Sequence, residues 1–129
     1  GTTTLEHARF DRIEEPDIIR ARLAEAGEQG RPVILDFYAD WCISCKVMER
    51  EVFSQPGVIA AMEPYTLLQI DMTDNTPEQQ ALLDERGLFG PPAILFYNPG
   101  GSEVQNLRVL GEMDREAFLE HLGKAEALL

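Results

Sequence analysis

Residues 33–46 of the chain are VILDFYADWCISCK. The first six form an apolar run broken only by Asp36, which predicts a central strand covered on both faces. The chain's two cysteines, Cys42 and Cys45, follow directly in a C-x-x-C spacing. Two thiols three positions apart at the beginning of a helix can close a small disulfide and reopen it. The segment therefore indicates thiol–disulfide exchange.

The composition is that of an ordinary globular chain. With 129 residues, 44% of them hydrophobic, it can enclose one core. The net charge of −12 comes from 23 acidic and 11 basic residues spread along the chain. This balance argues against nucleic-acid binding, because phosphate contacts need clustered Lys and Arg. No apolar run approaches the roughly 18 to 20 residues that cross a bilayer, so we expect no membrane insertion by this segment.

We expect residues 1–129 to form one domain, with residues 1–6 as a disordered linker end. The chain opens GTTT without a Met, which indicates a processed protein or an excised domain. Two cysteines are too few for a disulfide scaffold, and one C-x-x-C pair cannot complete a tetrahedral zinc site. His7 and His121 lie far from the cysteines in sequence, and we expect both at the surface. No metal, flavin or nucleotide cofactor is implied.

Strands alternate with helices along the chain, which predicts an α/β domain. Strands are expected at residues 10–13, 33–38, 66–71, 93–97 and 104–110. Helices are expected at 16–26 (ended by Gly27), 42–53, 56–62, from a Thr76 capping box to Gly87, and after an Asp114 cap. The turn NPGG at residues 98–101 predicts that the last two strands form an antiparallel hairpin.

Cys42 is the predicted nucleophile. It falls where the strand's loop meets the helix, so unpaired N–H groups and the helix dipole favour an anion there. Its pKa should fall below the free value of about 8.5. Cys45 lies one turn further on and deeper, and should resolve a mixed disulfide by attacking the Cys42 sulfur. The alternative is a static disulfide, although closing so short a loop constrains little chain.

Two carboxylates, Asp36 and Glu49, are expected to act on the dithiol. Burial in a strand should raise the pKa of Asp36, which could then take the proton of Cys45. Glu49 lies four residues after Cys45 and shares its helical face. Either carboxylate could serve, and a nearby negative charge would oppose the helix dipole at the thiols; the sequence leaves both questions open. The alternatives are a structural Asp36 and a solvated Glu49.

Trp41, Pro91 and Pro92 are expected to contact partner proteins. Trp41 is next to the dithiol and could cover the disulfide, whereas the preceding aromatic Tyr38 is expected in the core. The Pro91-Pro92 pair precedes the strand at residues 93–97, where a proline need not donate to the sheet. An X-Pro bond is also the usual place for a cis peptide.

These motifs resemble those of the thioredoxin superfamily. Residues 36–46 resemble its active-site segment. Residues 90–96, GPPAILF, resemble its second signature, which makes Pro92 the cis-proline that faces the disulfide. The resemblance covers roughly residues 31–122 and implies a thioredoxin fold, with a central mixed β-sheet flanked by helices and an antiparallel C-terminal hairpin. The Ile43-Ser44 pair departs from the Gly-Pro of thioredoxin itself.

Residues 47–56 and parts of 67–83 resemble, more narrowly, the C-terminal periplasmic domain of the DsbD family. This resemblance implies a reductant that takes electrons from a membrane-embedded dithiol and passes them to a periplasmic partner through transient mixed disulfides. The implied partners are the transmembrane and N-terminal domains of the same parent protein, which is an inner-membrane protein. In that family the carboxylates matching Asp36 and Glu49 tune the nucleophilic cysteine. Pro91 and Ala93 depart from the family pattern. We expect the protein to be a monomer.

Other functions remain open at this point. A free-standing thioredoxin-like reductase with broad substrates would carry the same motifs. A disulfide oxidase or isomerase would differ in reduction potential, which is about −120 mV for a strong oxidant and about −270 mV for a reductant. A redox-inert binding module could keep the fold only as a scaffold, but the intact cysteine pair argues against it.

Overall fold

The computed structural model describes residues 9–129. Within this range the strands are β1 (Asp11–Ile13), β2 (Val33–Tyr38), β3 (Thr66–Asp71) and β4 (Ala93–Tyr97). The helices are α1 (Pro16–Glu28), α2 (Ile43–Glu51), α3 (Pro56–Met62), α4 (Pro77–Arg86) and α5 (Arg115–Leu128), with a 3₁₀ turn at Gln105–Leu107. The predicted linker end at residues 1–6 and His7 lie outside the described residues.

The four strands form one mixed sheet in the order β1-β3-β2-β4. Strand β3 runs parallel to both β1 and β2, and β4 runs antiparallel to β2. The register places Arg12 of β1 beside Gln69 of β3, and Gln69 beside Asp36 of β2. Partners in register share a face of the sheet, so three polar side chains form one row across three strands.

Helices cover both faces of the sheet, as predicted from the apolar run of β2, which only Asp36 breaks. Successive strand residues point to opposite faces, which divides the core into two clusters. One cluster packs α1 and α4 against the face that carries Leu35 and Phe37. The other packs α2, α3 and α5 against the face of Ile34 and Phe96. Asp36 shares this second face, so α2 lies over it.

Local signals for helix ends are confirmed where capping groups lie close in sequence. At α4 the Thr76 hydroxyl accepts from the Gln79 N–H at 3.2 Å, and the Gln79 side chain accepts from the Thr76 N–H at 3.0 Å. Gly87 ends this helix in the left-handed conformation at φ 66°. Asp114 caps α5 through the Ala117 N–H.

The predicted end of α1 at Gly27 is wrong. The helix continues to Glu28, and the left-handed residue that follows it is Gly30, at φ 68°. Gly27 has a different role, which is close packing: a Cβ added there would meet the Gly101 Cα at 3.0 Å. The loop after β4 therefore lies directly against the last turn of α1.

Helix α2 is also shorter than predicted. It begins after Cys42 and ends at Glu51, whereas the expected range was 42–53. The N–H groups of Val52 and Phe53 both donate to the Met48 carbonyl at 2.9 Å. The chain thereby leaves the helix axis and buries both side chains in the core.

The strand predicted at residues 104–110 is not continuous. The chain does return antiparallel to β4, but only through isolated bridges of Tyr97 with Glu103 and of Ile94 with Val109. Between these bridges the 3₁₀ turn interrupts the pairing and buries Leu107. A side-chain contact links the two ends of this segment: the Arg108 guanidinium donates to the Glu103 carboxylate at 2.6 and 2.8 Å.

The expectation that His121 lies at the surface is wrong. His121 is buried on α5, where its Nε2 lies 2.6 Å from the Leu107 carbonyl. Its ring meets Phe96 edge to face, with centroids 5.3 Å apart. The imidazole is therefore a structural contact between α5 and the 3₁₀ turn.

The packing of Gly27 yields a stability prediction. Gly27→Ala should lower the free energy of unfolding by about 1 to 3 kcal/mol, because backbone atoms of the loop would have to move. Gly123→Ala, in α5 with open space around it, should raise it by about 0.5 to 1 kcal/mol through helix propensity. Urea denaturation measures both. Equal gains in the two variants would contradict the close approach.

Candidate active site

The two cysteines form a disulfide at the N-terminus of α2. Their Cα atoms are 5.3 Å apart. Cys42 is the N-cap residue, and its sulfur accepts a hydrogen bond from the Cys45 N–H at 3.2 Å. A helix N-terminus presents unpaired N–H groups and a positive partial charge. In the reduced pair these groups favour a thiolate at Cys42.

Both cysteines are shielded from water. Cys42 is 6% exposed and Cys45 is 5% exposed, so at the residue level neither lies clearly deeper. The Cys45 sulfur lies 3.7 Å from the Phe37 carbonyl oxygen. In the disulfide this sulfur carries no proton and the approach is only a contact, but a Cys45 thiol could donate there. Cys45 therefore faces the backbone of β2, next to Asp36.

Apolar side chains border the disulfide in sequence. Trp41 is 57% exposed and Ile43 is 81% exposed. The Trp41 Nε1–H donates to the Thr73 carbonyl at 3.1 Å, which anchors the indole while leaving much of it accessible. The Pro91–Pro92 peptide is cis, as the resemblance implied. Both prolines are partly buried.

Asp36 and Glu49 are brought together by two residues that the sequence analysis did not single out. Gln69 Nε2 donates to Asp36 Oδ2 at 2.7 Å and lies 3.4 Å from Glu49 Oε1. Arg12 Nε donates to Gln69 Oε1 at 2.6 Å, and Arg12 Nη2 pairs with Glu49 Oε1 at 2.8 Å. We call these four residues the carboxylate network.

Burial raises the pKa of Asp36 from 3.8 to about 7. The hydrogen bond from Gln69 opposes this shift, the negative charge of Glu49 adds to it, and the Arg12 guanidinium opposes it. The expected rise is confirmed, with loss of water as its main cause. A carboxyl with this pKa can gain or lose a proton near neutral pH.

Tyr38 anchors the loop between β2 and the cysteines. It is buried, as expected, and its hydroxyl donates to Asp40 Oδ1 at 2.8 Å. Burial raises its pKa to about 12, so the phenol stays neutral. The Arg12 guanidinium lies 4.1 Å from the centre of its ring. The Asp40 N–H in turn donates to the Thr73 hydroxyl at 2.9 Å, which holds the loop against the end of β3.

Three residues of the site were not predicted from the sequence, namely Gln69, Arg12 and Thr73, and only one of them stands out in the sequence pattern. Gln69 interrupts the strand TLLQID just as Asp36 interrupts VILDFY, so a polar residue at a core position was a usable signal. Arg12 lies in a three-residue edge strand whose pattern carries no such contrast. Thr73 contributes both its hydroxyl, to the Asp40 N–H, and its carbonyl, to the Trp41 indole, and both contacts depend on where the fold places this loop.

Within residues 9–129, no group of three or more His, Cys, Asp or Glu side chains is arranged to hold a metal ion.

In the described part of the chain, no helix combines the length and the apolar character needed to span a bilayer.

Comparison with known proteins places the site in a family. The thioredoxin-like family matches residues 16–99, which include β2, both cysteines and β4. The chain belongs to the thioredoxin-like family. This confirms the predicted thioredoxin fold, whose central mixed sheet is flanked by helices on both faces.

Within the thioredoxin-like family, the similar proteins include forms of DsbD. The chain is 51% identical over 116 residues to thiol:disulfide interchange protein DsbD 1 of Pseudomonas aeruginosa, covering 90% of this chain and 20% of that protein. It therefore spans about a fifth of the length of the curated relatives it matches.

Solved structures narrow the comparison to one part of DsbD. The chain matches the oxidised form of the Neisseria meningitidis DsbD C-terminal domain with 41% identity and a TM-score of 0.77, covering 88% of this chain and 98% of that domain. The reduced form matches with 40% identity and a TM-score of 0.75, covering 85% and 96%. The resemblance to this domain is thereby confirmed, and the related domain has been crystallised in both redox states.

The buried carboxyl predicts how stability depends on pH. The pKa of Asp36 is higher in the folded chain than the value of 3.8 expected on unfolding, so the folded state binds this proton more tightly. The contribution of Asp36 to stability is complete below about pH 4 and is lost as pH rises through about 7. Asp36→Asn should remove this dependence and raise the free energy of unfolding at pH 8 by about 4 kcal/mol.

Denaturation of the oxidised protein at pH 5 and pH 8 measures the effect. Asp74→Asn, at an exposed position, is the matched control and should leave both values within about 0.5 kcal/mol of the wild type. A wild-type stability that does not fall between these pH values would contradict the shifted pKa.

Proposed function

We propose that this thioredoxin-like domain is a thiol:disulfide reductase that relays electrons from a membrane-embedded dithiol to a partner disulfide in the periplasm. The observation that carries the proposal is the Cys42–Cys45 disulfide at the N-terminus of α2. It is supported by 41% identity to the DsbD C-terminal domain over nearly all of that domain. The relatives' printed name, thiol:disulfide interchange protein, describes the same chemistry.

The first step of the proposed reaction is attack by the Cys42 thiolate on the partner disulfide. A bond forms between the Cys42 sulfur and one partner sulfur, the partner's own disulfide breaks, and the other partner sulfur leaves as a thiolate. The helix N-terminus and the Cys45 N–H favour the charged form of the attacking sulfur.

The second step releases the partner. The Cys45 thiol gives its proton to a carboxylate of the network and attacks the Cys42 sulfur. The Cys42–Cys45 disulfide forms, the mixed disulfide breaks, and the second partner sulfur leaves as a thiolate that takes a proton from water. Two electrons pass from the dithiol to the partner. Asp36 suits the proton transfer, because its pKa of about 7 lies near the operating pH.

The partners we propose are other redox-active proteins or domains that exchange disulfides with Cys42. The matched segment is only a fifth of each DsbD relative, so by similarity the electron donor and acceptor are other domains of the same protein. By the same similarity, we propose that the domain lies on the periplasmic side of an inner-membrane protein. The exposed surfaces of Trp41 and Ile43, with Pro91 and Pro92, are the proposed contact region.

Cysteine variants test the redox role. Cys42→Ser should reduce the rate of insulin disulfide reduction to the uncatalysed level, because the attacking sulfur is lost. Cys45→Ser should also fail to turn over, but it should accumulate a mixed disulfide through Cys42, visible on a non-reducing gel and by mass spectrometry. Wild-type activity in Cys42→Ser would overturn the assignment of the nucleophile.

The captured partner distinguishes the relay from a broad reductase. Cys45→Ser in the full-length protein, expressed in its host, should capture periplasmic proteins or domains of the same chain. Cys42→Ser/Cys45→Ser is the matched control and should capture nothing. A wide set of cytosolic proteins would favour a general thioredoxin-like reductase over the relay.

A further inference from the structure

The carboxylate network is built on one row of the sheet. Arg12, Gln69 and Asp36 are register partners on β1, β3 and β2, and α2 adds Glu49 from above the same face. The row connects Arg12 on the edge strand β1 to Asp36 on β2. Asp36 directly precedes Phe37, whose carbonyl oxygen contacts the Cys45 sulfur. A residue at the sheet edge can therefore influence the chemistry at its centre.

Arg12 fixes this row through three contacts. Its Nε donates to Gln69 Oε1, its Nη2 pairs with Glu49, and its guanidinium lies over the Tyr38 ring. A planar guanidinium can make these contacts together, whereas a lysine ammonium is a single point charge. Its side chain is 43% exposed, so it reaches the network from the solvent side.

The contact with Gln69 decides which way the amide points. Because Arg12 Nε is a donor, it must face the Gln69 carbonyl oxygen. The amide nitrogen is then turned toward Asp36 and Glu49 as a shared donor. An amide held in this way cannot present its oxygen to either carboxylate.

We infer that Arg12 is a positioning residue that gives the two carboxylates different roles, holding Glu49 as an anion and leaving Asp36 to accept the Cys45 proton. This inference rests on the proposed function, since it concerns the step that releases the partner. It selects one of the two carboxylates that the sequence left open.

The different roles of Glu49 and Asp36 follow from which of the two carboxylates forms an ion pair with Arg12. Two neighbouring carboxylates repel each other when both are ionised, so a single proton resides on the one that is less well compensated. Glu49 is partly exposed and has a direct cation at 2.8 Å. Asp36 is buried, and among residues 9–129 the carboxylate has only the neutral amide of Gln69 as a hydrogen-bond donor.

The surroundings of Asp36 contain few other charges. On β4 its register partner is Ile94, which is apolar, and on β3 it is the neutral Gln69. Glu49 from α2 raises its pKa, and Arg12 from β1 lowers it. In the reduced protein the Cys45 thiol faces the adjoining backbone. Removing the charge of Glu49 should therefore lower the pKa of Asp36, and removing the charge of Arg12 should raise it.

Titration of the Asp36 carboxyl in the oxidised full chain tests the positioning role. Measured by carbon-13 NMR, the Asp36 midpoint should rise by about one pH unit in Arg12→Gln and fall in Glu49→Gln. Arg12→Lys should restore part of the wild-type value through its charge alone. Arg22→Gln is the matched control: it breaks the ion pair to Asp11, next to Arg12 in β1, and should not move the midpoint.

The release step gives a functional readout. The rate at which a thionitrobenzoate group leaves Cys42 is followed against pH in the reduced protein treated with Ellman's reagent. Arg12→Gln should slow release about fivefold at pH 7, and the rates should converge above about pH 9. Arg22→Gln should follow the wild-type profile.

The two measurements separate the two claims. An unchanged Asp36 midpoint in Arg12→Gln, or an unchanged release profile, would overturn the role of Arg12. If the wild-type protein performs no exchange at all, the proposed reductase function fails, while the NMR titration still decides whether Arg12 acts on Asp36.

Discussion

A carboxyl group buried in the centre of the sheet is the constraint on which the site depends. Asp36 lies in β2 with an apolar neighbour on one side and the Gln69 amide on the other. Loss of water raises its pKa to about 7, and the hydrogen bond from Gln69 offsets only part of the shift. The same burial therefore destabilises the ionised fold and supplies a group that exchanges protons near neutral pH. Stability and proton transfer are coupled at this residue.

The two sulfurs make different contacts at the beginning of α2. The helix N-terminus acts on Cys42, whose sulfur accepts the Cys45 N–H. The Cys45 sulfur contacts the carbonyl oxygen of Phe37, the residue that follows Asp36 in β2. In the proposed mechanism, the Cys42 thiol reacts as an anion, while the Cys45 thiol keeps its proton until a base removes it. A dithiol that must attack twice in sequence needs this asymmetry.

Much of the fold and part of the site could be predicted, and the successes share a cause. The run at β2, the capping box at Thr76 and the left-handed Gly87 depend on residues close in sequence, and all three are confirmed. The failures at Gly27, His121 and the segment after β4 depend on contacts between distant parts of the chain. Gly27 is set by the loop at Gly101, and His121 by the Leu107 carbonyl. Residue type alone does not carry this information.

The cysteine pair could therefore be predicted from the sequence alone, whereas the contacts that surround Asp36 and Glu49 could not. The spacing of Cys42 and Cys45 after a buried strand is local, because a disulfide between neighbouring turns needs only a helix beginning at the right residue. The proposed partition of roles between Asp36 and Glu49 is different. It needs Arg12 and Gln69, which lie 57 residues apart and become neighbours only when β1 joins the sheet beside β3. Hydrogen bonds and charges act over a few ångströms, so their effect on pKa exists only after the strands have assembled.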